Sequence, residues 1–329
     1  MDHEAVTTRL SLLVVAATWL ALTVTPASGQ LQAPRTALGS GEPPILISDS
    51  NTGYIENAIV GNQIRLRADA SFNQKRPDRA EFFYAKCGCF RPTADPSAPG
   101  MGNPGVPERS VDARELSLGI EYALVRNFSL FAEVPYRAID PELSPNASGL
   151  GDIQLGFKYA VLASRQNYLT LQVRAYAPTG NARKGLGTDH WSIEPGLLYY
   201  GRLTERTALA GELRYFHPIN GSSGQGTGLT GNFAGNVLRY GVGLSYDLAS
   251  ASEVKVSPVV ELVGWRVLGG IMTDDVAGPQ SARADIVNLK VGARVRFGDR
   301  DSVYVGVGHA LTKQALYEDI VRLEYRHTF

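Results

Sequence analysis

Many charged residues of this 329-residue chain fall on one parity of segments that alternate polar and apolar, and that placement, rather than any compact catalytic motif, is its chemical signature. Arg65, Arg67, Glu121, Glu133, Lys158, Arg174, Glu194, Glu212, Arg214, Arg239, Glu261, Lys290, Arg294, Arg296, Arg322, Glu324 and Arg326 each fall on one parity of their own alternating segment. In an extended strand one parity is one face. Such a face can line a narrow aqueous path that sorts solutes by charge, or it can close into ion pairs that fill a small barrel. Both readings stand at this point. The basic residues outnumber the acidic ones, with a cluster at Lys290, Arg294, Arg296, Arg322 and Arg326, so an open path would carry a mild anion preference.

Other reactive side chains point to less. Cys87 and Cys89 are the two cysteines of the chain. Their Cys-x-Cys spacing allows a local disulfide, an intermolecular one, or idle thiols, and no second pair completes a metal site. His190, His217 and His309 lack metal-ligand spacing, so neither a metal nor a cofactor is expected. A lipid hydrolase at a barrel rim would draw on Gly187-Thr188-Asp189-His190 and Asn220-Gly221-Ser222-Ser223, but Asn220-Gly221 reads as a turn. The chain is therefore expected not to be an enzyme. Lys+Arg and Asp+Glu both number 32, which removes the basic excess that a nucleic-acid surface needs.

The elements carrying these charges are strands. The last one, Asp319 to Phe329, sets Val321, Leu323, Tyr325, His327 and Phe329 against Arg322, Glu324, Arg326 and Thr328. An apolar face back to back with an ionised one is the pattern of a membrane strand between lipid and a polar lumen. Segments of this kind are expected at residues 63–72, 112–125, 127–137, 150–163, 167–178, 190–201, 206–217, 235–248, 254–266, 285–297, 302–311 and 318–329. About ten residues suit a tilted spanning strand, and about twelve such strands make an even-numbered barrel. The fold class is thus all-β, a transmembrane antiparallel up-and-down β-barrel of outer-membrane type. A mean hydropathy of -0.10 agrees, because only alternate residues meet lipid. Phe128 with Tyr136, and Trp191 with Tyr199, lie about eight residues apart on the lipid parity, roughly 20 Å along a tilted strand, and with Tyr325 and Phe329 mark the membrane interfaces.

Short and long connections alternate along the chain, which places both chain ends on the short-turn side, expected to be the periplasm. Residues 1–29 read as a secretory signal peptide with its apolar run at Leu10 to Val24. Residues 30–62 read as a periplasmic lead-in or a plug, and 63–329 as the barrel, with a long Pro/Gly-rich loop at 73–111.

The terminal Phe329 resembles that of bacterial outer-membrane barrels, whose last strand is read by the insertion machinery. Further motifs narrow the likeness: Gly149-Leu150-Gly151-Asp152-Ile153 with Lys158-Tyr159, Ala177-Pro178-Thr179-Gly180, Leu186-Gly187-Thr188-Asp189-His190, and Glu194-Pro195-Gly196-Leu197. From about Asp112 onward the chain resembles the outer-membrane transporter-like family associated with meta-pathway phenol degradation. That resemblance implies passive or facilitated passage of small organic solutes, aromatic compounds among them, across the bacterial outer membrane. Its partners would be the lipid bilayer, the insertion machinery and the solute, with no nucleic acid. The alternative is a closed structural or adhesive barrel that binds a partner through its outer loops.

Overall fold

Alternation along each strand, repeated until the first strand meets the last, produces a closed wall. The computed structural model describes residues 49–74, 110–142, 145–181, 184–188, 190–219, 235–248, 254–272, 280–281 and 283–329. In order these form β1 (Gln63–Gln74), β2 (Val111–Val125), β3 (Phe128–Pro141), β4 (Ala147–Leu150), β5 (Ile153–Ala163), β6 (Asn167–Ala177), β7 (Ser192–Arg202) and β8 (Thr207–Pro218). There follow β9 (Val237–Tyr246), β10 (Val254–Val267), β11 (Ile271–Met272), β12 (Gln280–Ser281), β13 (Ala284–Phe297), β14 (Asp301–Ala310) and β15 (Asp319–Thr328).

Every neighbouring pair is antiparallel, and β1 closes the wall by pairing with β15, from Gln63↔Thr328 to Phe72↔Asp319. Strands β4 and β5 both pair with β3 and act as one interrupted stave, so the wall has twelve staves among the described residues. β11 and β12 form a separate small hairpin. Closure removes the unpaired edges that lipid cannot satisfy.

The two faces differ as the parity requires. Leu116, Leu118, Ile120 and Tyr122 of β2 are about half exposed on the outside, as are Val242, Leu244 and Tyr246 of β9. Glu121, Glu133, Lys158, Glu194, Glu261, Arg294 and Arg326 are buried inside. No helix among the described residues is long and apolar enough to cross a membrane, which leaves crossing by strands untouched.

Strand boundaries depart from the expected ones where side chains intervene. The single strand expected over 150–163 breaks at Gly151 and Asp152, because Asp152 turns its carboxylate to a neighbouring loop. β7 begins at Ser192 rather than at residue 190, since the preceding connection is held in the same way. β3 runs four residues past Arg137, paired with β2 to Pro141. The expected leader, the 30–48 part of the lead-in, Cys87 and Cys89 with most of their loop, Asp189 and the Asn220 to Ser223 run lie outside the described residues.

Candidate functional site

A chain segment inside a barrel has no strand partner, so its backbone groups must find side chains of the wall. Residues 49–62 meet this condition at many of their backbone groups. Glu261 on β10 accepts the N–H of Ile55 at 2.8 Å, of Tyr54 at 3.0 Å and of Gly53 at 3.3 Å. Glu212 on β8 accepts that of Glu56 at 2.9 Å. The carbonyls are met by arginines of the last strands. Arg294 donates to Thr52 O at 2.7 Å and to Asn51 O at 3.2 Å, Arg322 to Gly53 O at 2.6 Å, Arg296 to Asp49 O at 2.8 Å, and Arg326 to Thr52 O at 3.1 Å. Thr170 Oγ1 donates to Ala58 O at 2.6 Å. Gly53 is required at its place, because a Cβ there would fall within the ring of Tyr304.

Side chains of this inner segment extend the network. Glu56 meets Arg174, Arg65 at 3.3 Å and Lys158 at 3.8 Å. Burial alone would raise its pKa, but Arg174, Arg65 and Lys158 outweigh that and hold its carboxyl well below the usual carboxylate range. Ala58, Ile59 and Val60 pack against Ala160, Tyr168, Leu198, Tyr200 and Ala208 near the short-turn ends of their strands. Tyr54 is clamped between the Lys290 ammonium, 4.0 Å from its ring centre, and the Arg322 guanidinium, 4.3 Å away.

The remaining charges pair across the wall. Glu194 joins Arg214 at 2.8 Å and Arg239 at 3.0 Å, and Glu324 joins Arg294 and Arg326, each at 2.7 Å. Glu133 binds both Arg65 and Arg67, while Glu121 binds Lys158 at 2.9 Å. Above the inner segment, toward the long-connection end, a cavity of about 190 Å³ remains. Tyr54 and Glu56 border it from the inner segment, Arg67, Glu115, Arg137, Arg174 and Arg214 from one arc of wall, Trp265 and Ile320 from another, and Leu316 and Tyr317 from the β14–β15 connection.

Three of the four glycine-rich motifs converge at the long-connection end. Asp152 accepts Gly180 N–H at 2.9 Å, Thr188 N–H at 2.7 Å and Thr188 Oγ1–H at 2.6 Å. Thr179 Oγ1 donates to Gly151 O at 2.9 Å. Gly180 and Gly187 approach so closely that a Cβ on either would strike the other's backbone. This latch turns the β6–β7 connection inward and seats Leu186 against Val111, Ala113 and Ile139. Asp152 is thus a loop anchor.

All seventeen charges singled out from the sequence lie on the inner side of the wall, but they do not face one open passage. The basic cluster divides: Arg294, Arg296 and Arg326 hold the inner segment, Lys290 borders the cavity, and Arg322 does both. Phe128, Tyr136, Trp191, Tyr199, Tyr325 and Phe329 point outward at the ends of the staves, with Trp191 and Tyr136 about half exposed. Glu115 and Arg137, paired at 2.6 Å, also border the cavity and were missed, although the same parity marks both. Tyr54, Glu56 and Tyr317 lie outside any alternating strand and carry no such signal. His190 contacts Ser192 Oγ at 3.1 Å, His217 contacts Asn236, and His309 contacts Asp319, so the three sit apart with separate partners. Among the described residues no three His, Cys, Asp or Glu gather as a metal site would require.

The architecture has solved counterparts. An outer membrane channel from Pseudomonas putida F1 is 19% identical, with a TM-score of 0.54 over 85% of this chain and 100% of that one. The β domain of the Bordetella autotransporter BrkA is 14% identical, with a TM-score of 0.49 over 82% of this chain and 100% of that one. The NanC porin is 9% identical, with a TM-score of 0.45 over 82% and 100%. No curated protein matches the sequence. A family model described as "Putative MetA-pathway of phenol degradation" matches residues 115–316, well over half of the chain, and the protein belongs to that family.

Proposed function

We propose that this barrel sits in the bacterial outer membrane and lets small organic solutes, aromatic compounds among them, pass by diffusion between the long-loop side and the short-turn side. The observation that carries the reading is the polar cavity enclosed by a complete barrel wall and floored by residues 49–62. The inner segment acts as a plug that narrows the path, and the paired charges along it orient a polar solute without trapping it. The short-turn side is the periplasm, the leader is removed on export, and the C-terminal strand is the part read during insertion. The likeness to an outer membrane channel supports the fold on which this rests.

Conductance of the purified full chain in planar bilayers tests it, together with liposome swelling over sugars, carboxylates and phenols. Ion current and swelling by the smaller solutes are the expected result. A folded, inserted barrel that passes neither would overturn passage and favour the closed structural barrel. The density of contacts between residues 49–62 and the wall gives that rival its specific support.

A further inference from the structure

The inner face of β13 carries two polar side chains whose surroundings are incomplete. Lys290 is 1% exposed, and its ammonium donates to the hydroxyl of Tyr317 and lies 4.0 Å from the ring centre of Tyr54 and 4.7 Å from that of Tyr317. No carboxylate of the described residues comes within ion-pair distance of it, whereas Arg137, Arg174, Arg214 and Arg322, which border the same cavity, each have one. Asn288, two residues away on the same face, is 1% exposed, and neither its Nδ2 nor its Oδ1 has a hydrogen-bond partner. Its neighbour across the β10 pairing, Val263, borders the cavity, as do Trp265, Leu316, Tyr317 and Lys290 itself.

A buried cation with no carboxylate of the described residues at ion-pair distance and a buried amide without partners are both costly. A single visitor with an anionic oxygen pair gives the Lys290 ammonium a counter-charge and the Asn288 Nδ2–H an acceptor. The adjoining wall of Trp265 and Tyr317 rings with Leu316 and Val263 side chains suits a flat apolar body. On the opposite arc the arginines are already engaged by Glu56, Glu115, Glu194 and Glu212, whereas Lys290 has no ion-pair partner among the described residues.

We propose that Lys290 and Asn288 on β13, together with the Trp265 and Tyr317 wall, form a binding subsite for a small aromatic carboxylate. The carboxylate accepts from the Lys290 ammonium and the Asn288 amide, and the ring lies against the indole. The proposal rests on the passage reading for its purpose, since the subsite would be a resting place along the path.

Trp265 provides the readout. It and Trp191 are the tryptophans beyond residue 30, so a Trp191→Phe background leaves one reporter in the exported chain. The experiment titrates 4-nitrobenzoate, a quencher, against the folded barrel in detergent, with folding checked by heat-modifiable migration. Saturable quenching, reversed by benzoate and weakened at least tenfold by Lys290→Met and several-fold by Asn288→Leu, is the expected result. Quenching by nitrobenzene at the same concentrations, or a Lys290→Met curve that does not move, would overturn the subsite. If that variant does not fold, displacement from the unsubstituted Lys290 site decides: benzoate displaces the probe and benzylamine does not, and equal displacement overturns the proposal. Planar-bilayer current separates the two readings. Current without charge-dependent quenching removes the subsite and leaves passage standing, while charge-dependent quenching without current does the reverse.

Discussion

Replacing Glu261 tests whether wall side chains hold the inner segment. Its carboxylate is fully buried and accepts three consecutive backbone N–H groups, from Gly53, Tyr54 and Ile55, as well as the Tyr304 hydroxyl at 3.3 Å. Hydrogen bonds to a charged acceptor contribute about 1.5–3 kcal/mol each, and each buried donor left unpaired costs about 1–3 kcal/mol. Glu261→Leu orphans all three backbone donors, so the penalty for keeping the segment in place runs from about 3 to about 9 kcal/mol, and about 4 kcal/mol allows for substantial relaxation. At 1.4 kcal/mol per decade the local opening equilibrium rises about a thousandfold. Glu261→Gln keeps one acceptor oxygen and loses the charge, for about 2 kcal/mol and roughly thirtyfold. Amide hydrogen exchange of the peptide spanning Gly53 to Ile55 reads these ratios directly. Exchange through β13 and β15 serves as the control and stays slow if the barrel remains closed. Wild-type exchange in a folded Glu261→Leu barrel would refute the argument.

Three further outcomes follow from the same contacts. Asp152→Ala removes the acceptor for Gly180 and Thr188, so the β6–β7 connection should open by about 3 kcal/mol, read as faster exchange over residues 180–188 with the strands unchanged. The depressed pKa of Glu56 means its contribution is complete above the ordinary carboxylate value and is lost progressively as pH falls from there to the lower folded-state value. Proteolytic protection of residues 49–62 should therefore be level from pH 8 to about 5 and fall only below about pH 4. On the outside, Leu118, 55% exposed midway along β2, should tolerate Val but lose about 2–4 kcal/mol of folding stability as Arg in lipid bilayers, measured by urea unfolding.

The wall was legible because alternation is local. Each of the twelve staves expected from period-two patterning is present, with ends shifted by a few residues where a loop side chain intrudes, as at Asp152. Glu115 and Arg137 carry the same parity and are legible from the same rule. Residues 49–62 follow no strand period, so nothing in their own order announces that their backbone is met by Glu261, Glu212 and Arg294.

The amino-acid order by itself determined the faces: which side chains meet lipid, which are turned inward, and how many staves the wall has. Only the tertiary structure decided what the inward charges do. Whether Arg294 faces water, a carboxylate or the carbonyl of Thr52 depends on the stagger at which β1 meets β15 and on the path of a segment more than two hundred residues away in sequence. Periodicity fixes the direction of a side chain, and closure of the barrel fixes its partner.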